Sequence, residues 1–334
     1  MKILSIETSC DETAAAVVLN GRKVLSSKIA SQIKEHNLYG GVVPEIASRR
    51  HIENISTVVK NALEFSNNKL SNIDAIAATH APGLVGSLLV GLNFAKGLSF
   101  ALNLPLIAVH HLRSHVAANY LTYKNLTPPF LCLVVSGGHT FILEVLDYTK
   151  FKIFSKTCDD AAGETLDKAA RALKLSYPGG VNLDKISKLG NKFLFNFPKP
   201  KVDSSPYDFS FSGLKTSMIN KIQERKQKSI KLPIEDLSAS FCHCVASYLT
   251  EKLLLVAKNK NYKKIAISGG VSANSHLRKM LIKECKEKKY ELYIPKLELC
   301  TDNAAMVGSQ AYYEYKSGNI AKLNINAQAN LSIE

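Results

Sequence analysis

Two histidines with helical spacing are the residues best suited to chemistry in this sequence. His111 and His115 follow the apolar run at residues 104–109, which predicts a buried strand leading into a helix. Four residues apart on a helix, both imidazoles lie on one face and can share a metal ion. They fill only part of a coordination shell, so a third ligand must come from elsewhere. A pair of surface or capping histidines is the alternative that this spacing leaves open.

The residue after His111 excludes a zinc protease. The zincin motif His-Glu-x-x-His needs a glutamate directly after its first histidine, where it acts as the general base. That position holds Leu112. Asp302, at the start of a predicted C-terminal helix, is a candidate third metal ligand, although an acidic helix cap would explain it as well.

Three predicted strands run into short polar or glycine-rich loops, at residues 1–19, 130–145 and 265–274. The first two segments both read as strand, loop and strand, about 130 residues apart, which predicts a duplicated domain. Glycine turns of this kind let backbone amides approach phosphate oxygens. Each loop alone is weak evidence, but the three together favour a phosphate-containing ligand.

An acidic segment follows the second hairpin. Asp160, Glu164 and Asp167 are spaced by four and three residues, which predicts three carboxylates on one helical face. An acidic helix start stabilised by the macrodipole is the alternative. Crowded like charges need a cationic or hydroxylated partner, so the spacing favours a ligand site.

The composition indicates a folded, cytoplasmic protein. A chain of 334 residues with 46% apolar content predicts about two domains. The first six residues already read as a strand, not as a signal peptide, and the most apolar region, 82–106, is interrupted by glycine, asparagine and lysine, which argues against a membrane span. Seven cysteines without a CxxC pair fit a reducing compartment.

The positive charge is concentrated in the second part of the chain. Residues 1–108 hold ten basic and eight acidic side chains, so residues 109–334 contribute +13 of the formal +15. This asymmetry indicates a polyanionic partner, with nucleic acid first, although solvated lysines are the alternative. Lys199, Lys201, Lys215 and residues 221–231 are the candidate contacts. The predicted lobes are 1–108, with the C-terminal segment packing back on it, and 109–334.

Motifs over nearly the whole length resemble one protein family and occur in that family's order. They lie at residues 6–13, 41–49, 111–115, 135–140, 159–164, 177–180, 211–215, 268–274 and 301–303. The chain closely resembles the TsaD family of bacterial tRNA adenosine threonylcarbamoyltransferases, which were formerly described as glycoproteases. The combination of motifs is highly specific.

The resemblance implies a fold and an activity. The implied fold is α/β, of the actin, Hsp70 and sugar-kinase-like (ASKHA) type, with two lobes that each hold a ribonuclease-H-like mixed sheet flanked by helices. The implied reaction moves threonylcarbamoyl from threonylcarbamoyl-adenylate to the exocyclic amine of the adenosine 3′ of the anticodon, in tRNAs that read ANN codons. The implied partners are a TsaB-like paralogue and a TsaE-like ATPase, and a homodimer of the isolated chain stays open.

The resemblance also implies site residues, with both proposed sites in the 109–334 lobe. His111, His115 and Asp302 would hold one divalent metal ion, iron first and zinc second. The donor-binding residues would be Val134, Val135, Ser136, Gly137, Gly138, Asp167, Gly180, Asp184 and Asn274. Acyl transfer from a mixed anhydride depends on positioning and on charge stabilisation. Glu12 or Asp11 could take the proton from the attacking amine.

Three positions depart from the family pattern, and two other functions compete with it. Arg113 replaces the usual glutamate between the histidines, Val181 replaces proline, and residues 326–330 lack the customary basic ending. The main competing function is an ATP-dependent small-molecule kinase of the same fold, which has no use for the histidine pair. A non-catalytic scaffold of the TsaB kind would lack the metal ligands that this chain has.

Overall fold

The computed structural model describes residues 1–202 and 205–334, which form two compact units. The first unit comprises Met1–Pro128, Val145–Lys152 and Pro295–Glu334, and the second comprises Pro129–Glu144 and Ile153–Ile294. The predicted boundary at residue 108 is therefore displaced. Residues 109–128 stay with the first unit because their helix packs closely against the C-terminal helix, which also covers the first sheet.

In the described residues, ten strands form two five-stranded sheets. The strands are β1 Lys2–Glu7, β2 Glu12–Leu19, β3 Lys23–Ser31, β4 Ala75–Ala81, β5 Leu106–His110, β6 Phe130–Val135, β7 Thr140–Asp147, β8 Lys150–Lys156, β9 Lys264–Ser268 and β10 Glu291–Tyr293. The first sheet has the order β3-β2-β1-β4-β5, and the second has the order β10-β9-β6-β7-β8. In each sheet, three consecutive strands lie side by side and two later strands add next to the first of them. The predicted duplication is confirmed by this shared order.

The described helices longer than one 3₁₀ turn are α1 Ile33–Asn37, α2 Pro44–Phe65, α3 Val85–Leu102, α4 His111–Thr122, α5 Ala162–Ala172, α6 Gly179–Ser187, α7 Ser212–Gln227, α8 Ile234–Asn259, α9 Ser275–Glu287 and α10 Ala304–Lys316. In the first unit, helices cover both faces of the sheet. Leu4 and Ile6 of β1 pack in one apolar cluster with residues of α2 and α3, whereas Ile3 packs in another with residues of α4 and α10. This alternation follows from the two-residue period of a strand.

In the second unit, β9 runs parallel to both β6 and β10. Leu131, Leu133 and Ile267 of these strands pack in one cluster with Phe241 and Leu249 of the long helix α8. Cys242 and Cys244 of α8 are buried in the same cluster. Both thiols therefore belong to the apolar core of this unit.

Helix α3 combines an apolar composition with close packing. By length and composition alone it could cross a membrane, a property that core helices of soluble proteins share. Leu88, Leu92 and Ala95 are fully buried. A Cβ atom on Gly91 would lie 2.3 Å from the Thr8 hydroxyl, so glycine at this position lets α3 approach the loop after β1.

Candidate active site

The first unit gathers polar side chains at one edge of its sheet. Strands β1, β4 and β5 are parallel, so their carboxyl ends meet at the same edge. Glu7 ends β1, Thr79 lies near the end of β4, and His110 ends β5. Helix α4 starts directly after His110, and Asp302 lies two residues before α10. The edge therefore brings residues from distant parts of the sequence into one place.

His111, His115 and Asp302 converge at this edge. One ligating atom from each lies within 4.8 Å of the others, the only such group of three among the described histidines, cysteines and carboxylates. Asp302 Oδ1 is 3.1 Å from His115 Nε2 and 3.6 Å from His111 Nε2. The two rings are 4.7 Å apart and nearly perpendicular. All three belong to the first unit, not to the predicted 109–334 lobe.

The helix-capping roles considered for the histidine pair and for Asp302 are taken by their neighbours, His110 and Asn303. Asn303 is the N-cap of α10, and its side chain accepts a hydrogen bond from Met306 N at 3.0 Å. His110 is the N-cap of α4, where Nδ1 accepts from Leu112 N at 3.2 Å. Burial lowers the pKa of His110 to about 3, so its ring is neutral. Asp302 and His111 are thus left for another role.

His115 has the unsatisfied donors and acceptors expected of a ligand. Its side chain is 1% exposed, yet neither ring nitrogen makes a hydrogen bond with any residue that the structure describes. Nε2 lies close to Asp302 Oδ1 without the alignment of a hydrogen bond. A buried imidazole without hydrogen bonds lowers the stability of the fold unless its nitrogens bind another group, such as a metal ion.

Glu7 fixes the orientation of His111. The carboxylate is fully buried, and its Oε2 lies 3.1 Å from His111 Nδ1. It also accepts hydrogen bonds from Thr79 Oγ1 at 2.7 Å and from Ser9 N at 2.5 Å. Because a carboxylate only accepts, Nδ1 must carry the proton, which leaves Nε2 facing Asp302.

The charges of this group reinforce one another. Burial alone would lower the pKa of His111, but Asp302 and Glu7 outweigh it and raise the pKa to about 9. Burial likewise opposes ionisation of Glu7, but the neighbouring His111 holds its pKa below the usual value. The site therefore stabilises a positive charge next to Asp302. A proton on His111 can carry this charge, or a metal cation can displace the proton and carry it instead.

The predicted catalytic carboxylates lie in and after the loop that follows β1. Glu12 begins β2, and its Oε1 accepts a hydrogen bond from Ser31 Oγ at 2.8 Å. Burial raises the pKa of Glu12 to about 8, and the negative charges of Asp11 and Asp302 add to this effect, against the Ser31 hydrogen bond. His51 of α2 holds the loop after β1 in place, because its Nε2 donates a hydrogen bond to the Cys10 carbonyl at 2.9 Å.

The predicted donor-binding residues all belong to the second unit. Val134 and Val135 end β6, and Ser136, Gly137 and Gly138 form the loop that follows. The Ser136 and Gly137 carbonyls accept hydrogen bonds from Gly163 N and Glu164 N, at 3.2 and 3.1 Å, so this loop is joined to the start of α5.

The loop after the neighbouring parallel strand β9 reaches the same end of β6. Gly269 has φ +87°, and a Cβ atom there would lie 2.3 Å from Val135 O. The carboxyl ends of adjacent parallel strands are where ligands bind in open α/β sheets. Both glycine loops therefore lie at the expected edge of the second sheet.

The remaining predicted donor residues connect neighbouring elements of this unit. Asp167 Oδ1 accepts from Gly180 N at 2.6 Å, and Asp184 Oδ1 accepts from Ser275 N at 3.0 Å. Asn274 caps α9 by accepting from two backbone amides. Hydrogen bonds therefore connect α5 with α6, and α6 with the start of α9.

The acidic segment differs from its prediction. Asp160 lies before α5, so the three carboxylates do not share one helical face. Asp160 pairs with Lys215 at 2.8 Å and with Lys168 at 3.2 Å, and Lys168 also pairs with Glu164 at 2.7 Å. The expected cationic partner is thus supplied by the chain itself.

Glu7, Thr79 and His51 are site residues that the sequence did not single out. Glu7 had a visible signal, because it is a charged residue that ends an otherwise apolar strand. Thr79 and His51 had none, since only the pairing of strands and the packing of α2 bring them to the loop.

Comparisons with known proteins agree with this architecture. A sequence model of the family described as TsaD, tRNA N6-adenosine threonylcarbamoyltransferase, matches residues 23–309. A tRNA N6-adenosine threonylcarbamoyltransferase of Clostridium botulinum (strain 657 / Type Ba4) is 53% identical over 333 residues, which cover 100% of this chain and 98% of that protein.

Two solved structures show the shared fold. HypF in its phosphate- and nucleotide-bound form aligns with a TM-score of 0.60 at 16% identity, over 95% of this chain and 46% of that one. A ROK family glucokinase from Streptomyces griseus aligns with a TM-score of 0.52 at 12% identity, over 95% of this chain and 100% of that one. The predicted α/β fold of the actin, Hsp70 and sugar-kinase type is confirmed.

Proposed function

This chain belongs to the tRNA N6-adenosine threonylcarbamoyltransferase family, and on that premise we propose that it transfers threonylcarbamoyl from threonylcarbamoyl-adenylate to tRNA. The acceptor is the exocyclic amine of the adenosine 3′ of the anticodon, in tRNAs that read ANN codons. The observation that carries the proposal is the convergence of His111, His115 and Asp302 beside the loop after β1, where Ser9 Oγ lies 3.1 Å from His111 Nδ1. This loop contains Asp11 and leads into Glu12. A kinase of this fold has no use for that histidine pair.

A divalent metal ion fits the first unit. His111 Nε2, His115 Nε2 and an Asp302 oxygen would hold it, and the unbonded nitrogens of buried His115 support this assignment. Two imidazoles and one carboxylate suit iron(II) first and zinc second. When bound, the ion would act as a Lewis acid that supplies positive charge.

The chain's own residues supply positioning and proton transfer. The glycine loops after β6 and β9 would present backbone amides to the adenylate, which is already a good leaving group. The raised pKa of Glu12, about 8, makes its ionised fraction basic enough to accept a proton near neutral pH, and Asp11 is the alternative base. Retained transfer in both Asp11→Ala and Glu12→Ala variants would remove this role.

The working form would include two further proteins. We propose a TsaB-like paralogue and a TsaE-like ATPase as partners, with the reaction in the cytoplasm. The isolated chain, the pairwise mixtures and the complete mixture would be compared for product formation. Full activity of the isolated chain would show that neither partner is needed.

Nucleoside mass spectrometry tests the reaction itself. An unmodified ANN-decoding tRNA would be incubated with threonylcarbamoyl-adenylate, the two partners and either the wild-type chain or His111→Ala. Threonylcarbamoyladenosine should form with the wild type and be lost with the variant. If neither forms it while donor and tRNA stay intact, the transferase assignment fails, and phosphate transfer from ATP to small molecules becomes the activity to measure.

A further inference from the structure

The second unit holds a groove that the proposed chemistry leaves without a role. Its volume is about 700 Å³, and it lies between α8, α9 and the loop before α7 that contains Phe193. Its lining includes Phe193, His243, Leu254, His276, Met280 and Tyr290. We refer to it as the α8–α9 groove. Volumes of this size are typical of binding pockets.

Three rings form a row along this groove. The Phe193 and His243 ring centroids are 5.5 Å apart, and those of His243 and His276 are 6.5 Å apart. Phe193 is 71% exposed, an unusual position for a phenylalanine that serves only the core. Burial, with help from Lys192, lowers the pKa of both imidazoles, so these rings are neutral at neutral pH. Neutral, accessible rings are platforms on which nucleobases stack.

The rim of the groove is positively charged. Lysines outnumber acidic residues among its lining side chains, which include Lys192, Lys258, Lys279, Lys283 and Lys288 against Glu251 and Glu284. Both glutamates are already engaged, Glu251 with Lys199 and Glu284 with Lys288. Lys258 and Lys279 form no ion pair with any residue in the described ranges 1–202 and 205–334. Their charge is therefore available to an anionic ligand.

Three of the lysines first considered for RNA contact are engaged within the chain. Lys215 pairs with Asp160 and is half-buried, and Lys199 pairs with Glu251. Lys228, in the 221–231 segment, pairs with Glu224. The α8–α9 groove offers unpaired lysines next to ring faces, which the Lys199 and Lys215 positions do not.

We propose that the α8–α9 groove binds an unpaired segment of the substrate tRNA. Bases would stack on Phe193 and its neighbouring rings, while the unpaired Lys258 and Lys279 would lie near the phosphates. This inference rests on the proposed function, because it places part of that reaction's acceptor. An acidic protein segment would use the lysines but would not need ring faces, so the aromatic row favours RNA.

The test measures binding of an ANN-decoding tRNA to the full chain by filter retention, over salt concentrations from about 50 to 200 mM. Phe193→Ala should raise the Kd about tenfold, as expected for the loss of one stacked base. Phe193→Tyr keeps the ring and should retain wild-type affinity. Phe193→Leu keeps the apolar volume without the ring and should bind like the alanine variant.

The charge is tested by reversing two lysines together. Lys258→Glu with Lys279→Glu should weaken binding and reduce the slope of log Kd against log salt by about 1.4, from two phosphate contacts at about 0.7 each. Lys150→Glu with Lys152→Glu on β8 is the matched control, since both lysines are exposed and the change in charge is equal. The control pair should leave the slope unchanged.

Several results would overturn the inference. The inference fails if every groove variant binds tRNA with unchanged affinity, if the groove pair and the control pair have equal effects, or if the wild type does not bind tRNA. It also fails if the groove variants bind a partner protein more weakly while their tRNA affinity stays intact. Circular dichroism melting would show that each variant is folded. Failure of the proposed function would give a different result. The wild type would bind tRNA through the groove but would form no threonylcarbamoyladenosine.

Discussion

Glu7 Oε2 lies 3.1 Å from His111 Nδ1, and this contact sets which nitrogen of the imidazole faces Asp302. The carboxylate is fully buried and is held in turn by Thr79 and Ser9. A carboxylate behind a metal-binding histidine both orients the ring and raises its basicity. Glu7 therefore acts on the proposed metal site without touching the ion.

Replacing Glu7 by glutamine should weaken metal binding about 10- to 100-fold. The amide keeps the shape of the side chain but removes the negative charge that supports His111. The measurement is a zinc titration by calorimetry, with Glu53→Gln on the exposed side of α2 as control. Equal zinc affinity of Glu7→Gln and the wild type would show that Glu7 has only a structural role.

Neighbouring histidines should separate metal binding from helix capping. His115→Ala should lose the proposed bound ion, as should His111→Ala and Asp302→Ala. His110→Asn should keep it, because asparagine also caps a helix and His110 faces Leu112 N and the Leu331 carbonyl. Metal content per chain would be measured by plasma mass spectrometry after gel filtration. An ion retained by the His115 variant would place the site elsewhere.

Glu12 should make the metal-free protein less stable as the pH rises. Its pKa of about 8 in the folded state lies above the ordinary value of 4.5, so the folded state holds a proton that the unfolded state releases. This contribution is fully present below pH 4.5 and is lost as the pH rises through about 8. Glu12→Gln should therefore raise the Tm by about 2 °C or more at alkaline pH and leave it nearly unchanged at the acidic end.

Thermal melts in the presence of a chelator would measure this effect. Ser31→Ala is a useful companion, because it removes the hydrogen bond that favours the charged form of Glu12. The pH dependence should become steeper in that variant. A Tm difference between wild type and Glu12→Gln that does not vary with pH would contradict the raised pKa.

Arg113 should be needed for stability, although it departs from the family pattern. Its guanidinium donates to the Ile333 carbonyl at 3.0 and 2.8 Å and pairs with the nearly buried Glu314 at 3.3 Å. Arg113→Ala should cost about 2 to 3 kcal/mol of unfolding free energy, because it leaves the Glu314 charge without its cation.

Urea unfolding would measure this cost. Arg49→Ala, which breaks the exposed pair with Glu45, is the matched control and should change stability far less. A truncation after residue 326 should reproduce part of the Arg113 effect, since it removes the carbonyl that the guanidinium contacts. Equal stabilities of the two arginine variants would exclude this role.

Two glycines of the second unit should respond differently to alanine. Gly269→Ala should cost more than about 2 kcal/mol, because φ is +87° and the new Cβ would lie 2.3 Å from Val135 O. Gly137→Ala should leave stability unchanged, since its Cβ would meet nothing within 4 Å. If the donor packs against the backbone of this loop, Gly137→Ala should still weaken binding of threonylcarbamoyl-adenylate. Calorimetric unfolding and donor titration would separate the two effects.

Local patterns in the sequence determined the elements and much of the site. The strand-loop-strand repeats predicted the duplicated sheets, and the four-residue spacing of His111 and His115 predicted a shared helical face. These features depend on residues close together in the chain, whose periodicity reflects the geometry of a strand or a helix. The family motifs then connected Asp302 with the histidines.

Tertiary structure decided what depends on packing between distant segments. It assigned residues 109–128 to the first unit, placed Glu7 behind His111, and paired Lys215 with Asp160. A carboxylate or a lysine has the same local pattern whether it meets a ligand, an internal partner or solvent. Only the pairing of strands and the packing of helices determine which of these it contacts, because those contacts join residues that are far apart in the sequence.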